Sequence, residues 1–152
     1  MHTLKNKSIF SYAKINIGLK ILHHLPDGYH QICTNMQEID YYDEIHITQN
    51  KERHNITLNV SGPIEVASNE SNLCIQSARL IFTLFKIKKG IDINLIKNIP
   101  IGAGLGGGSS NAANIILLLN KLYDLQMTND KLIDISAQLG SDVPFFINGG
   151  LQ

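Results

Sequence analysis

PIGAGLGGGSSNAANI, residues 100–115, packs five glycines and two serines between an alternating apolar stretch, IDINLI (91–96), and a long apolar run, SSNAANIILLLNKLYDL (109–125). A flexible linker does not usually join a strand straight to a helix, so this is a tight strand–loop–helix junction. Gly102, Gly104 and Gly107 formally satisfy the dinucleotide fingerprint G-x-G-x-x-G. That fingerprint also needs a second strand ending in an acidic residue about twenty residues on. The region there, LLLNKLYDL, has helical periodicity, and Asp124 falls in the wrong kind of element. The reading left standing is an anion cradle. Glycines let successive backbone N–H groups converge on one point, and the helix that begins near Ser109 adds unpaired N–H groups and its positive dipole end. Ser109 and Ser110 offer hydroxyls to a phosphate oxygen or to Mg²⁺, and which does which stays open. No G-K-[ST] follows, so the loop is not a P-loop.

The bulk properties suit one ordinary domain. The chain has 152 residues, 43% hydrophobic and 17% charged, which reads as globular with a real core. Thirteen basic residues balance thirteen acidic ones, so no broad positive field exists to hold nucleic acid or an anionic membrane, and any anion site must be local. No stretch is apolar and long enough for a membrane-spanning helix, and the opening MHTLKNKSIF has no apolar signal core. The two cysteines, Cys33 and Cys74, have neither metal nor redox spacing; reduced thiols in a cytoplasmic protein are expected.

Along the chain, SIFSYAKINIGLKIL (8–22) reads as a strand, broken by Pro26 and Asp27-Gly28. EIHIT (44–48) and NITLNV (55–60) alternate like half-buried antiparallel strands, with QNKERH as a polar connection. SNLCIQSARLIFTLFKI (71–87) switches to helical spacing, capped by Ser71 or Asn72 and ended by Gly90. After the glycine run and its helix, Thr128 and Asp130 open a last helix, KLIDISAQL, with Gly140 at its C-cap. Strands first and helices later predict an α+β fold with a mostly antiparallel sheet. VPFFINGGLQ, at the end, looks like a strand being entered, which leads to the expectation of a truncated chain or an interrupted reading frame.

The loop resembles the phosphate-binding motif of the GHMP kinases. Two further stretches, AKINIGL (13–19) followed by PDGYH (26–30), and GSDVPFF (140–146), resemble elements of the branch of that family that phosphorylates a cytidine-diphosphate-linked methylerythritol. Leu25 and Tyr12 depart from that branch's usual pattern, where an arginine and a small residue or proline are frequent. The resemblance implies the GHMP kinase N-terminal domain over residues 1–152 (a ribosomal protein S5 domain 2-like arrangement), with a C-terminal domain missing. It implies transfer of the γ-phosphate of ATP, with Mg²⁺, to the C2 hydroxyl of the methylerythritol unit. Another GHMP kinase, or a nucleotide-binding fragment inactive without its second half, is the alternative. Self-association, or a second chain supplying the missing half, is the expectation for partners.

The resemblance also distributes roles. Asp142 becomes the general base that takes the proton of the attacking alcohol, against the plain reading of an aspartate opening a turn before Pro144. Lys14, otherwise a lysine on the polar face of a strand, comes beside Asp142 and stabilises charge on the transferring phosphoryl group. Asn16, two residues on and on the same face, orients the substrate hydroxyl. Tyr29 and His30 read the cytosine by stacking and hydrogen bonding, against a turn with a core tyrosine. Pro100, Gly102, Gly104, Leu105, Gly106, Gly107, Gly108, Ser109 and Ser110 surround the ATP phosphates. Lys97 contacts those phosphates or is a solvated strand end; Asn72 meets the adenine or only caps a helix. His23, His24, His46 and His54 have no metal spacing and read as surface residues.

Overall fold

The structure is a computed structural model that describes residues 5–24 and 30–152, with side chains 19–33 outside the description. Its elements are β1 (Asn6–His24), β2 (His30–Arg53), β3 (Ile56–Ser61), α1 (Leu73–Phe85), β4 (Lys89–Ile96), α2 (Gly107–Tyr123), α3 (Asn129–Ser136) and α4 (Phe145–Asn148). One sheet, in the order β1-β2-β4-β3, carries the helices on one face. The α+β expectation holds.

Several local expectations change. β2 runs on through QNKER (49–53), where a connection was expected, and also takes in residues 31–43, to which the sequence reading assigned no element. The polar residues do not interrupt it because residues 31–48 pair along β1, and Gln49 and Arg53 pair with β4. β3 lies parallel to β4, not antiparallel, because α1 carries the chain back between them. Asn72 caps α1, its side chain accepting from the Cys74 N–H, and Lys86 in the left-handed region ends it, so Gly90 falls inside β4. α2 begins at Gly107, two residues earlier than expected, within the glycine run itself. Thr128 caps α3, which stops at Ser136, well short of Gly140. The apolar residues 145–148 form the short helix α4; strand pairing is confined to the last residues, where Leu151 bridges to Gln37.

The core explains the alternations. Ile45 and Ile47 of β2, with Ile91, Ile93 and Leu95 of β4, point to the helices and are essentially fully buried. Against them lie Ala78 and Ile81 of α1, and Ile115, Ile116 and Leu119 of α2. Each such branched side chain removed from water contributes roughly 1.5–3 kcal/mol before entropy is counted. α2 is buried over most of its circumference, and the polar residues buried in its first turns, Ser110, Asn111 and Asn114, are all hydrogen-bonded. The central position of α2 fixes the mouth of the glycine loop at one end of the sheet.

Candidate active site

β1 brings the first site residues into place. Its register with β2 shifts between Tyr12 and Ala13, one residue before Lys14; bulges of this kind re-aim side chains next to functional sites. The Lys14 backbone N–H donates to the Leu105 carbonyl at 2.9 Å, so the strand is tied directly to the glycine loop. The Lys14 ammonium donates to Asn16 Oδ1, and Asn16 Nδ2 donates to Thr34 Oγ1 at 3.2 Å. The same ammonium lies 3.5 Å from Asp142 Oδ2. Asp142 stands on the turn at 140–143, closed by the Val143 N–H on the Gly140 carbonyl, and Val143, Phe145 and Phe146 anchor that turn in the core. Lys14 is buried, whereas the carboxylate of Asp142 keeps about a third of its surface. The structure thus brings Lys14, Asn16 and Asp142 together.

The loop closes over a cavity of about 580 Å³. Val66, Ala67, Leu73 and Leu95 line its apolar side; Lys97, residues 101–109 and Asn111 line the other. Gly106 is the N-cap of α2 in the left-handed region (φ 67°), and no side chain caps the helix there. The first N–H groups of α2 are thereby left for a ligand. Gly106 and Gly107 also have no room for a side chain. A Cβ on Gly106 would meet the Phe146 ring at 2.8 Å and Lys14 Cγ at 3.1 Å; one on Gly107 would meet Ile99 Cγ2 at 2.8 Å and Lys97 Nζ at 2.9 Å. Adjacent glycines therefore each press against one lysine.

The two serines separate. Ser109 lines the cavity. Ser110, expected beside it, is fully buried, and its hydroxyl meets Ser11 Oγ at 2.8 Å. The 100° step between successive helical residues sends it into the sheet, so it is withdrawn from the phosphate-facing set. Pro100 is exposed and outside the lining residues. Asn72 lines the cavity and caps α1 as well.

Lys97 is not a solvated strand end. It is buried, and its ammonium lies 2.5 Å from Asp43 Oδ2. Asp43, which the sequence reading did not single out, is fully buried. Its signal was present: in DEIHI it occupies the same face as Ile45 and Ile47, a charge at a core position. Cys74 lies within the field of this pair; burial pushes its thiol up to about 12, with Lys97 pulling it down and Asp43 raising it. Tyr29 lies outside the described residues, as does the side chain of His30. Among the described residues no cluster of three His, Cys, Asp or Glu could hold a metal, and no helix is long and apolar enough to cross a membrane.

Residues 72–150, just over half of the chain, match the model of the GHMP kinases N terminal domain. The chain belongs to the GHMP kinase family. This GHMP kinase domain is 40% identical over 98% of its length to the 4-diphosphocytidyl-2-C-methyl-D-erythritol kinase of Francisella tularensis subsp. tularensis (strain FSC 198). It is 47% identical over 93% of its length to the kinase of the same name from Prochlorococcus marinus (strain MIT 9515). The matches cover 54% and 45% of those proteins, so the chain spans about half the length of the curated relatives it matches. A crystal structure of 4-(cytidine 5'-diphospho)-2C-methyl-D-erythritol kinase superposes with a TM-score of 0.77 at 33% identity, over 93% of this chain and 49% of that one. The mevalonate kinase of Methanococcus jannaschii superposes with a TM-score of 0.72 at 17% identity, covering 97% of this chain and 52% of that one, a likeness of fold alone.

Proposed function

We propose that this domain binds Mg·ATP in the cavity under the glycine loop and serves phosphoryl transfer to the C2 hydroxyl of 4-diphosphocytidyl-2-C-methyl-D-erythritol. The observation that carries the reading is the Lys14–Asp142 pair, 3.5 Å apart, set against the loop with only its carboxylate open to a substrate. Asp142 takes the hydroxyl proton as the oxygen attacks the γ-phosphorus, and the bond to the β-phosphate oxygen breaks to leave ADP. Lys14 offsets charge on the transferring group, and Asn16, held by Lys14 and Thr34, orients the hydroxyl. The N–H groups of the loop and of the first turn of α2 hold the phosphates. Tyr29 and His30 are proposed to read the cytosine.

Charge balance supports a metal. Lys14 and Lys97 are each paired with an aspartate, so the four side chains cancel before a polyanionic nucleotide arrives. Mg²⁺ is a hard cation that is commonly held by phosphate oxygens, water and one or two protein oxygens, and the Ser109 hydroxyl fits that donor set. When bound, it would neutralise charge on the nucleotide phosphates. A cytoplasmic setting suits the buried thiol of Cys74.

The test is ADP formation from Mg·ATP with the cytidyl substrate, homoserine and mevalonate offered in parallel, beside Asp142→Ala. Turnover of the cytidyl substrate alone, lost in the variant, is expected. Turnover of homoserine or mevalonate instead would replace the substrate assignment, and a folded chain that fails to bind ATP would overturn the cavity assignment.

A further inference from the structure

A cradle made of backbone needs its two ends held, and here both ends run to one side chain. Asp43 Oδ1 accepts the N–H of Asn98 at 2.7 Å and of Ile99 at 2.9 Å, the last residues before the loop. Asp43 Oδ2 accepts Lys97 Nζ at 2.5 Å and Asn111 Nδ2 at 2.9 Å, the latter on α2 beyond the loop. Asn111 Nδ2 also lies 3.0 Å from Ser11 Oγ, and Ser11 meets Ser110 Oγ, so the tie reaches back to β1. We propose that Asp43 is the positioning residue of the anion cradle, tying the strand that enters the glycine loop to the helix that leaves it. The inference rests on the nucleotide reading above.

The chemistry calls for a carboxylate. Only an ionised carboxylate offers acceptor sites on both oxygens and a charge for a buried ammonium. An asparagine of the same shape would turn an NH₂ group toward donors on one side, whichever way it faced. Slack at residues 98–99 passes directly to residues 101–107, whose N–H groups must converge on the ligand, and small misplacements of such groups are costly.

A pair that only stabilises the fold would behave differently from a positioning residue, and two variants separate the cases. Asp43→Leu, of similar size but with no acceptor, leaves Lys97 buried and unpaired; Asp43→Leu with Lys97→Met removes that stranded charge while the backbone anchors stay lost. The measurements are the unfolding midpoint, the Kd for Mg·ATP, and hydrogen exchange of amides 98–107 without nucleotide. The expected result is a midpoint that falls in the single variant and recovers in the double. The amides of residues 98, 99 and 101–107 should exchange about tenfold faster or more in both variants, with Kd weakened by a similar factor in the single variant. Wild-type exchange across 98–107 in the folded double variant would overturn the inference, as would a wild-type Kd in the single variant. If the wild-type chain itself does not bind Mg·ATP, the nucleotide reading fails, and the exchange rates alone decide whether Asp43 sets the loop.

Discussion

Lys97 and Asp43 lie 2.5 Å apart with side-chain exposures of 5% and 0%; Lys14 and Asp142 lie 3.5 Å apart with exposures of 7% and 34%. The residue types are the same, the glycine loop touches both lysines, and the environments are opposite. In the first pair the carboxylate spends both oxygens on donors of the fold. In the second, the ammonium is held by Asn16 and the carboxylate remains partly open. A buried, fully engaged pair holds shape, because removing either partner strands a charge. An open carboxylate beside a fixed cation can take a proton from a ligand. Burial of the acid, more than the identity of the pair, separates the shape-holding pair from the one proposed for catalysis.

The sharpest way to break that division is to exchange the effects. Asp142→Asn should lower the rate of ADP formation by about 10²–10⁴-fold, the usual contribution of a positioned base, with little change in the unfolding midpoint. Asp43→Ala should instead cost about 3–5 kcal/mol of stability in denaturant titration, with nucleotide affinity weakened alongside it. An Asp142 variant that unfolds like an Asp43 variant would erase the distinction.

The two glycines sharpen it. Gly106→Ala places a methyl against Phe146 and Lys14 at a left-handed φ, a conformation that costs an L-residue roughly 1–2 kcal/mol. It should impair turnover more than stability, because it displaces the lysine of the open pair. Gly107→Ala presses on Ile99 and Lys97 and should impair stability and nucleotide affinity together. Parallel kinetics and thermal unfolding of the two variants check this.

How much of this was legible beforehand depended on what each residue advertised. Helices α1 and α2 and the strand β4 carried clean periodicity, β1 alternated in part, residues 145–148 read as a strand and fold as α4, and the glycine loop announced itself. Residues 31–43 did not, because their strand is defined by pairing with β1 and by a register shift at Asp40-Tyr41, not by alternation. The direction of β3 follows from the chain's return through α1, which no local pattern encodes. Lys14, Asn16 and Asp142 were found through motif resemblance, and the geometry draws them together although they lie at opposite ends of the chain. Ser110 was misplaced because adjacent serines look alike in sequence, while the helix turns one to the cavity and the other to Ser11. Asp43 belongs to no motif; its clue is a charge on the apolar face of DEIHI, alternating with Ile45 and Ile47.

The exposed pair Arg79–Glu70 supplies the baseline and the smallest effect. Both side chains are more than half exposed, and the guanidinium donates to both carboxylate oxygens. The hydrogen bond from Arg79 holds the Glu70 carboxyl below its ordinary 4.5. A lowered acid stabilises the fold above its unfolded value, and that contribution is lost as pH falls through the folded one. Arg79→Met should therefore lower the midpoint slightly at pH 7, the loss should shrink in high salt, and the two proteins should converge as pH drops below 4.5.

The assignment of the glycine loop as the nucleotide cradle is tested most directly by titrating the isotopically labelled protein with Mg·ATP and following each backbone amide by NMR. The expected result is saturable shifts concentrated at residues 102–109, with Lys97 and Asn111 following. Shifts concentrated instead around His54, Lys86 and Lys88, which line a separate pocket at the other end of α1, would contradict it.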